Sequence, residues 1–412
     1  MSGAPMNFLK VGLCLIACIL ASSCGGSGDD VGASGSGGTT TVSGANVAAV
    51  TVDSGPENNS ANTLFVSVTL CVPGSTSNCQ TINHIEVDTA SYGLRIISSA
   101  LTETLPVQTV SGGASLLECT NFVQGYSWGP VVAADVKIAG ETASSLPVQV
   151  IGDPNFTTVP DDCSGLGSAV NSVSDFGANG VLGIGPFVQD CGLGCAQNAI
   201  PTTYYACTGT TCTATALSAI AQVQNPVASF TTDNNGVIVQ LPSVASAGAA
   251  TVSGNLIFGV DTETNNASNA SGTESVLTVS NEDYLTVTFN GQSYPQSFID
   301  SGSNGIYFND NNIPTCTQSG FTEFYCPTAT TSLSATLTGE NGMTATYSFS
   351  VANTESLFSS TTQLAAFADL GGTFPGSTTS FDVGMPFYYG RRVATVIEGN
   401  STTVGTGPYF AF

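Results

Sequence analysis

Basic residues are scarce in this sequence, which has five Lys and Arg against 29 Asp and Glu and a formal net charge of −24 at pH 7. Nucleic acid is not an expected partner, because binding to phosphates needs a basic face that so few basic residues cannot form. The acidity is typical of a soluble exported protein. The alternative interpretation is that the protein works at acidic pH.

Histidine occurs only once, as His84. A Ser-His hydrolase needs a histidine base, but His84 lies four residues before Asp88 on the same strand face, so we interpret it as structural or cleft-lining. The alternative is that His84 modulates Asp88. A single histidine also disfavours zinc. Residues 233–236 and 309–312 miss the spacing of calcium loops and are predicted to be turns. No phosphate-binding Gly loop is present, so we expect neither a metal nor a cofactor.

Charged residues make up only 8% of the sequence, and its polarity comes from Ser, Thr, Asn and Gly. With many Val and few Lys, Glu or Arg, this composition predicts an all-β protein. A chain of 412 residues is long enough for two lobes of ordinary domain size. Short β-rich runs predict strands at 47–52, 63–71, 82–87, 131–138 and 147–151. Two short helices are predicted, near 213–222 and 359–366.

Residues 1–24 are predicted to be an export signal, with Lys10 followed by a short apolar stretch and then Ser22-Ser23-Cys24. The apolar stretch is too short to span a membrane. Residues 21–24 resemble a bacterial lipobox, which implies lipidation of Cys24, and a plain secretory signal is the alternative. Residues 25–45, rich in Gly, Ser and Thr, are predicted to be a flexible tether. The expected location is the bacterial cell envelope, lipid-anchored at the outer membrane on its periplasmic or surface side.

Thirteen cysteines are present, three of them (Cys14, Cys18 and Cys24) in the predicted leader. An even number remains, as is typical of disulfides in an exported protein. The most economical pairing is Cys71 with Cys79, Cys207 with Cys212, Cys316 with Cys326, Cys191 with Cys195, and Cys119 with Cys163. The sequence leaves the connectivity open, since the four cysteines between 191 and 212 allow three pairings.

Two stretches of the sequence match each other. Residues 86–96 read E-V-D-T-A-S-Y-G-L-R-I, and residues 298–308 read F-I-D-S-G-S-N-G-I-Y-F. Each has an apolar strand, then Asp, a hydroxyl residue, a small residue and Ser, then a Gly and a second apolar run. Either stretch alone is typical of an Asx turn. The pair predicts two similar halves that bring Asp88 and Asp300 to a shared cleft, where two close carboxyls share one proton and act on water.

This pattern resembles that of the pepsin-like aspartic peptidases, which carry D-[TS]-G-[ST] after an apolar strand in each lobe. The resemblance extends to three further segments. Residues 179–185 are similar to the segment behind the first acid loop, 256–261 to the turn that opens the second lobe, and 383–410 to the closing strands. The sequence also resembles a family of bacterial envelope lipoproteins known only as a domain of unknown function.

The resemblance covers residues 46–412 and implies an all-β, two-lobed pepsin-like fold. The lobes would be related by a pseudo-twofold axis and would enclose an interlobe cleft. Residues 46–228 would form the N-terminal lobe that carries Asp88, and residues 229–412 the C-terminal lobe that carries Asp300.

Six residues match the family's functional positions. They are the water-activating pair Asp88 and Asp300, the cross-bracing hydroxyl residues Thr89 and Ser301, and Ser91 and Ser303, whose hydroxyls bond the outer carboxylate oxygens. The implied reaction is hydrolysis of a polypeptide by a monomeric aspartic endopeptidase.

The sequence departs from the family pattern around the first acid. Ala90 replaces a Gly at a point where the backbone closely approaches the acid. Arg95 occupies the position of a Trp that bonds to a tyrosine of the flap, the hairpin over the cleft. The flap aligns with residues 119–129, where Phe122 replaces that tyrosine and Tyr126 or Trp128 could substitute for it.

Two further departures concern the second half and the leader. Asp382 occupies an apolar position, and a buried acid there needs a partner, for which Arg391 or Arg392 is expected. The basic pro-segment of pepsin-like zymogens is missing. These departures support an alternative function, in which a catalytically inactive relative binds a peptide, glycan or protein partner in the same cleft.

Overall fold

The computed structural model describes residues 42–269, 272–360 and 362–412. The predicted leader, its lipidation site Cys24, and the tether up to residue 41 lie outside the described residues. Within the described part the protein is all-β with few and short helices. None of the helices in this part is long and apolar enough to cross a membrane.

The first half of the described chain contains eleven strands. They are β1 (Val47–Val52), β2 (Leu64–Cys71), β3 (Cys79–Asp88), β4 (Tyr92–Ile97), β5 (Ser115–Phe122), β6 (Gly125–Ile138), β7 (Glu141–Ile151), β8 (Ser168–Ala169), β9 (Gly180–Ile184), β10 (Tyr204–Thr208) and β11 (Thr211–Ala214). All five predicted strand runs lie in this set and coincide with strands.

The second half contributes twelve strands to the described structure. They are β12 (Gly236–Gln240), β13 (Val252–Phe258), β14 (Val276–Thr278), β15 (Leu285–Phe289), β16 (Gln292–Ile299), β17 (Ile306–Tyr307), β18 (Thr331–Thr338), β19 (Thr344–Val351), β20 (Gly371–Gly372), β21 (Asp382–Val383), β22 (Arg392–Val396) and β23 (Tyr409–Ala411). In β19, buried apolar residues alternate with exposed Ser and Thr, because successive side chains of a strand face opposite sides.

The helices are one or two turns long. They are α1 (Asp161–Ser164), α2 (Val173–Phe176), α3 (Gly192–Gln197) and α4 (Thr354–Leu357), with 3₁₀ turns at Ser98–Ala100, Ala219–Ala221, Pro226–Ser229 and Met385–Tyr388. The helix predicted near 213–222 is found only as the short 3₁₀ turn Ala219–Ala221, because the β-hairpin around the Cys207–Cys212 link extends to residue 214. The predicted helix near 359–366 is wrong, because Ala366 forms a β-bridge with Ala249.

The strands form two sheets. A 16-stranded sheet contains the first half together with β12, β13, β14, β22 and β23, and a 7-stranded sheet contains the remaining strands of the second half. An additional pairing between β2 and β6 closes β2, β3, β9, β4, β7 and β6 into a barrel-like ring. Because β1 pairs with β13, backbone hydrogen bonds join the two predicted lobes. The boundary between the lobes stays a prediction.

One pattern of strand pairing occurs twice. In the first half, β9 is parallel to β3 and antiparallel to β4, and β4 is parallel to β7. In the second half, β21 is parallel to β16 and antiparallel to β17, and β17 is parallel to β20. β3 ends at Asp88, and β16 ends one residue before Asp300. The two acid loops therefore occupy equivalent places in the two copies of the pattern.

Five disulfides link the described chain. They join Cys71 to Cys79, Cys119 to Cys163, Cys191 to Cys195, Cys207 to Cys212, and Cys316 to Cys326. These are the pairs that the sequence analysis favoured. Four of the five close loops of ten residues or fewer, so they fix local turns rather than distant segments.

Candidate active site

The two acid loops bring Asp88 and Asp300 side by side. Both are buried, with 1% and 2% of their surface exposed. A Cβ atom built on Gly302 would lie 2.7 Å from Asp88 Cγ and 3.0 Å from Asp300 Oδ1, so the backbone of the second loop passes against both carboxyls. The Asp88 carboxyl is close enough to raise the pKa of the Asp300 carboxyl.

Each carboxyl is held by the same two types of donor, a backbone N–H two residues later and a serine hydroxyl three residues later. For Asp88, the Ala90 N–H donates to Oδ1 (2.9 Å) and the Ser91 hydroxyl to Oδ2 (2.6 Å); for Asp300, the Gly302 N–H donates to Oδ1 (2.6 Å) and the Ser303 hydroxyl to Oδ2 (2.7 Å). These bonds fix the plane of each carboxyl before any ligand binds.

Thr89 and Ser301 connect the two loops reciprocally. The Thr89 N–H donates to Ser301 Oγ (3.1 Å), and the Ser301 N–H donates to Thr89 Oγ1 (3.0 Å). Each hydroxyl then donates to a carbonyl in the opposite half, Thr89 to Ile299 (3.3 Å) and Ser301 to Val87 (2.7 Å). The structure thus places all six residues selected from the sequence around one pair of carboxyls.

A tyrosine that the sequence analysis did not select also contacts this brace. Tyr388, at the end of the 3₁₀ turn Met385–Tyr388, places its hydroxyl 2.7 Å from Thr89 Oγ1. Either hydroxyl can be the donor in this contact. Tyr388 is fully buried, so its hydroxyl holds the Thr89 side chain in place.

Two glycines let a strand pass close behind each loop. A Cβ atom on Gly183 would lie 2.6 Å from Tyr92 N, and one on Gly384 would lie 2.1 Å from Gly305 O. Both distances are too short for a side chain. Gly183 lies in segment 179–185 and Gly384 in segment 383–410, both of which were selected from the sequence. The close approach of the backbone explains why Gly is needed at these two positions.

The electrostatics of the pair are asymmetric. Burial raises the pKa of Asp300 well above its ordinary value, and the nearby Asp88 and Asp382 carboxyls raise it further, against the hydrogen bond from Ser303. Asp300 is therefore the member that retains a proton.

A third acid, Asp283, lies near Asp88 and was not selected from the sequence. Its Oδ2 accepts a hydrogen bond from the Tyr92 hydroxyl (2.6 Å), and its Oδ1 has no partner among the described residues. Burial raises the pKa of Asp283 well above its ordinary value, the Tyr92 hydrogen bond opposes this rise, and the charge of Asp88 adds to it. These surroundings therefore favour the uncharged form of the Asp283 carboxyl.

The arginine partner expected for Asp382 is wrong. The Arg391 guanidinium donates to Phe387 O (2.6 Å) and lies over the Phe387 ring, 4.7 Å from its centroid. Arg392 donates instead to backbone carbonyls at 265 and 267. Neither oxygen of the Asp382 carboxyl accepts a hydrogen bond of good geometry from the described residues, although the Ser303 hydroxyl is near enough to lower its pKa.

Asp382 is instead kept neutral. Burial raises its pKa well above the ordinary value, and the charge of Asp88 adds to this rise. Because the folded-state pKa is raised, the stability that the proton provides is present below the unfolded-state pKa and is lost as the pH rises toward the folded-state pKa. Asp382 therefore favours folding in acid and opposes it at neutral pH.

Replacing Asp382 with Val should stabilise the protein at pH 7 by about 1–3 kcal/mol, because it removes a buried carboxyl that lacks a good partner. The gain should shrink at pH 4, where about half of the unfolded-state carboxyl, with a pKa of about 3.9, is protonated as well. Urea unfolding at the two pH values measures the difference. Glu340→Val, in an exposed turn, is the control; an Asp382→Val gain no larger than that of the control would contradict this account.

The hairpin of β5 and β6 is the segment predicted as a flap, but its aromatic residues lie elsewhere. Phe122 is buried against Phe176, with ring centroids 5.3 Å apart. Tyr126 and Trp128 belong to a separate cluster, in which Trp128 packs on Tyr205. None of the three predicted flap residues is in the cluster that contains Ala90.

The tip of the same hairpin contributes Val123 and Gln124 instead. Val123 packs against the cluster that contains Ala90 and Phe298. The Gln124 Oε1 atom is buried and has no partner among the described residues. Ala90 is fully buried, so its methyl group is accommodated by this apolar cluster.

Arg95 connects the hairpin to the strand that follows the Asp88 loop. Its Nη2 donates to Glu118 Oε1 (2.6 Å) and Asp190 Oδ2 (2.9 Å), its Nε to Thr120 Oγ1 (3.0 Å), and its Nη1 to Tyr92 O (2.7 Å). Arg95 and Glu118 are both 2% exposed. This ion-paired group joins the two segments, and the lone charge of Arg95 was its only sign in the sequence.

His84 lies away from the acid pair. Its Nε2 is 3.2 Å from Asp53 Oδ1, and its ring packs edge-on against Phe65. These contacts favour the structural interpretation of His84 over a role at Asp88.

One group of three potential metal ligands lies close together in the described part of the chain: Cys316, Cys326 and Glu355, with ligand atoms within 4.8 Å of one another. The two cysteines form a disulfide with each other. Their sulfurs are therefore not thiolate ligands, and the group does not fit a metal site.

A family model described as "Protein of unknown function (DUF3443)" matches residues 42–412. No curated protein matches the chain.

Proposed function

We propose a function for this chain, which belongs to the DUF3443 family, from the geometry of its two acid loops: it is a pepsin-like aspartic endopeptidase. The observation that carries the proposal is the pair of buried carboxyls, Asp88 and Asp300, each held by one backbone N–H and one serine hydroxyl. Ordinary Asx turns need neither the pairing nor the reciprocal brace between the loops.

The repeated strand pattern supports the finer fold assignment, a two-lobed pepsin-like fold with pseudo-twofold related lobes. Both copies place an acid loop at the end of a strand and pass a second strand, with Gly183 or Gly384 at the close approach, behind it. Two such copies facing each other would form a cleft with one carboxyl on each wall. An extended polypeptide is the substrate that fits such a cleft.

The proposed reaction follows from the protonation states. Asp88 takes a proton from a water molecule as the oxygen attacks the peptide carbonyl carbon, while Asp300 gives its proton to the carbonyl oxygen. This step forms a C–O bond and yields a neutral tetrahedral intermediate. The C–N bond then breaks as Asp88 gives its proton to the leaving nitrogen, and Asp300 takes a proton from one hydroxyl of the intermediate as the C=O bond of the acid product forms. The pair thereby returns to its starting state, with Asp300 protonated and Asp88 ionised.

The buried Oε1 of Gln124 suits a contact with the substrate backbone. It lies at the tip of the β5–β6 hairpin and lacks a partner among the described residues. A peptide N–H in the cleft would satisfy it. This role would fall to Gln124, rather than to Phe122, Tyr126 or Trp128.

The five disulfides support the proposed location. Disulfides persist in oxidising compartments, as expected for an exported envelope protein. Lipid anchoring through Cys24, and a monomeric state, remain part of the same proposal.

A second candidate function is binding without hydrolysis. Its supporting observation is that the two carboxyls are only 1% and 2% exposed, with the Ala90 methyl buried beside them. If water and a peptide cannot reach the pair together, the same cleft would hold a peptide, glycan or protein ligand and release it unchanged.

Cleavage of a peptide library between pH 2 and pH 7 tests the proposal. We expect hydrolysis by the wild-type protein, strongest in the acid range, and none by Asp88→Asn, because the base is removed while the residue keeps its shape. Cleavage that persists in Asp88→Asn would overturn the assignment. No cleavage by either protein, together with tight retention of a library peptide, would favour the binding function.

A further inference from the structure

We propose that Arg95, Glu118 and Asp190 form a proton-dependent link that holds the β5–β6 hairpin against the strand following the Asp88 loop, and that this link is released as the pH rises. These three residues are called the Arg95 cluster below. The link itself does not depend on the proposed peptidase function, whereas its effect on turnover does.

The cluster joins three separate parts of the first half. Arg95 lies on β4, Glu118 on β5, and Asp190 in the loop after β9. One nitrogen, Arg95 Nη2, donates to both acids, at 2.6 Å to Glu118 Oε1 and 2.9 Å to Asp190 Oδ2. The two carboxyls are therefore held on the same atom, close enough to hydrogen-bond to each other.

The charges of the cluster balance only when one proton is present. Arg95 carries one positive charge, and two ionised acids would carry two negative charges. Arg95 and Glu118 are 2% exposed and Asp190 is 13% exposed, so a surplus negative charge would be poorly solvated. Glu118 Oε2 has no partner among the described residues to stabilise that charge. One proton on Asp190 makes the cluster neutral.

The surrounding groups cannot replace that proton. Tyr204, on β10, donates its hydroxyl to Asp190 at 2.7 Å and 2.8 Å. Thr120 and Gln149, on β5 and β7, are uncharged and bond to Arg95 and to the Glu118 carbonyl. Arg95 is thus the one cation that faces these acids among the described residues.

The direction of the pH effect follows from Asp190. Burial raises its pKa well above the ordinary value, and Glu118 raises it further, against the lowering effect of Arg95 and the Tyr204 hydrogen bond. A raised folded-state pKa means that stabilisation is complete below the unfolded-state pKa and is lost as the pH rises toward the folded-state pKa. The hairpin is therefore firmest in acid, the range in which a carboxyl pair such as Asp88 and Asp300 would work.

The sole tryptophan reports on this hairpin directly. Trp128 lies on β6 opposite Cys119, the residue after Glu118, and packs on Tyr205, the residue after Tyr204. If the contact between β5 and β10 weakens, the surroundings of the Trp128 indole ring should change. Fluorescence of Trp128 in the full chain, titrated from pH 3 to pH 9, measures the link without any assay of activity.

The wild-type protein should show a reversible fluorescence transition as the pH rises. Glu118→Gln should abolish this transition. The glutamine amide can donate a hydrogen bond to Asp190 without a titrating proton, and the charge of an ionised Asp190 then balances the charge of Arg95. Asp190→Asn should abolish it in the same way, which guards against a folding defect in either variant alone. Glu57→Gln removes an exposed carboxyl and should leave the transition unchanged.

Three results would overturn the proposal. They are a wild-type protein with no transition, a transition that persists in both Glu118→Gln and Asp190→Asn, and a transition that Glu57→Gln also abolishes. Hydrolysis assays on the same samples separate this inference from the peptidase proposal. If the transition responds to these variants as expected but the protein hydrolyses no peptide, the link is supported and the peptidase proposal is rejected. If the protein hydrolyses peptides but shows no transition, the peptidase proposal is supported and the link is rejected.

Discussion

We expect Asp300→Asn to lower kcat/KM for peptide hydrolysis by at least about a thousandfold, the scale typical of removing a residue that acts on the reacting atoms. Asparagine keeps the shape of the side chain, but its amide cannot pass a proton to the peptide carbonyl. The comparison with Asp88→Asn is informative, because the two variants remove the acid and the base separately. Each single variant should be nearly as inactive as the double variant, since the two residues act as a unit.

A loss of activity in Asp300→Asn is meaningful only if the fold is intact. Burial already favours the neutral form of Asp300, so a neutral amide should change the free energy of unfolding at pH 7 by less than about 1 kcal/mol. Urea unfolding measures this. Activity within tenfold of the wild type in a folded Asp300→Asn protein would reject the role of Asp300 as the acid.

Ser303→Ala provides a graded control with a defined pH effect. Burial raises the pKa of Asp300 and the hydrogen bond from Ser303 lowers it, so removing the hydroxyl should raise that pKa further. Asp300 would then keep its proton to a higher pH, and the alkaline limb of the activity profile should move upward. A purely structural role for Ser303 would lower activity without moving that limb.

The local parts of the site could be predicted from the sequence because each depends on a short pattern. The Asp88 and Asp300 loops are set by a few consecutive residues, and the glycines behind them are needed for close backbone contact. Strands such as β1 follow from alternating or continuous apolar runs. The near-neighbour disulfides follow from the short span between their cysteines.

The parts that escaped prediction depend on contacts between distant segments. Asp283 meets Tyr92, a residue 191 positions away, and Tyr388 meets Thr89 across 299 positions. Nothing in the residues around Asp283 distinguishes it from an ordinary surface acid. Asp382 was recognised as unusual because it interrupts an apolar segment. Its expected arginine partner was wrong because sequence proximity does not give side-chain direction.

Arg95 shows the same limit most clearly. Its place at a position where the resembled family has a Trp marked it as a departure, but neither Glu118 nor Asp190 has a local signature that identifies it as a partner. Strand alternation gives the face of β5 on which Glu118 lies, yet not the loop that carries Asp190. The cluster exists because the fold brings β4, β5 and the loop after β9 together around one guanidinium.

We expect Arg95→Met to destabilise the protein at pH 7 by about 3–5 kcal/mol, because removing one partner of a buried ion pair leaves uncompensated charge. Met fills much of the arginine volume, so the loss reports on charge and hydrogen bonds more than on packing. At pH 4 the cost should be smaller, because burial raises the pKa of Asp190 and favours its uncharged form there. Urea unfolding at the two pH values measures both numbers.

Two comparisons separate this effect from a general loss of positive charge. Lys137→Met removes a cation from a half-buried position on β6, outside the Arg95 cluster, and should cost less than about 1 kcal/mol. Adding Glu118→Gln and Asp190→Asn to Arg95→Met should recover part of the lost stability, because no charge is then left buried. If the triple variant is less stable than Arg95→Met alone, the cost arises from lost hydrogen bonds and shape rather than from charge. The pH dependence of the hairpin would then need another source.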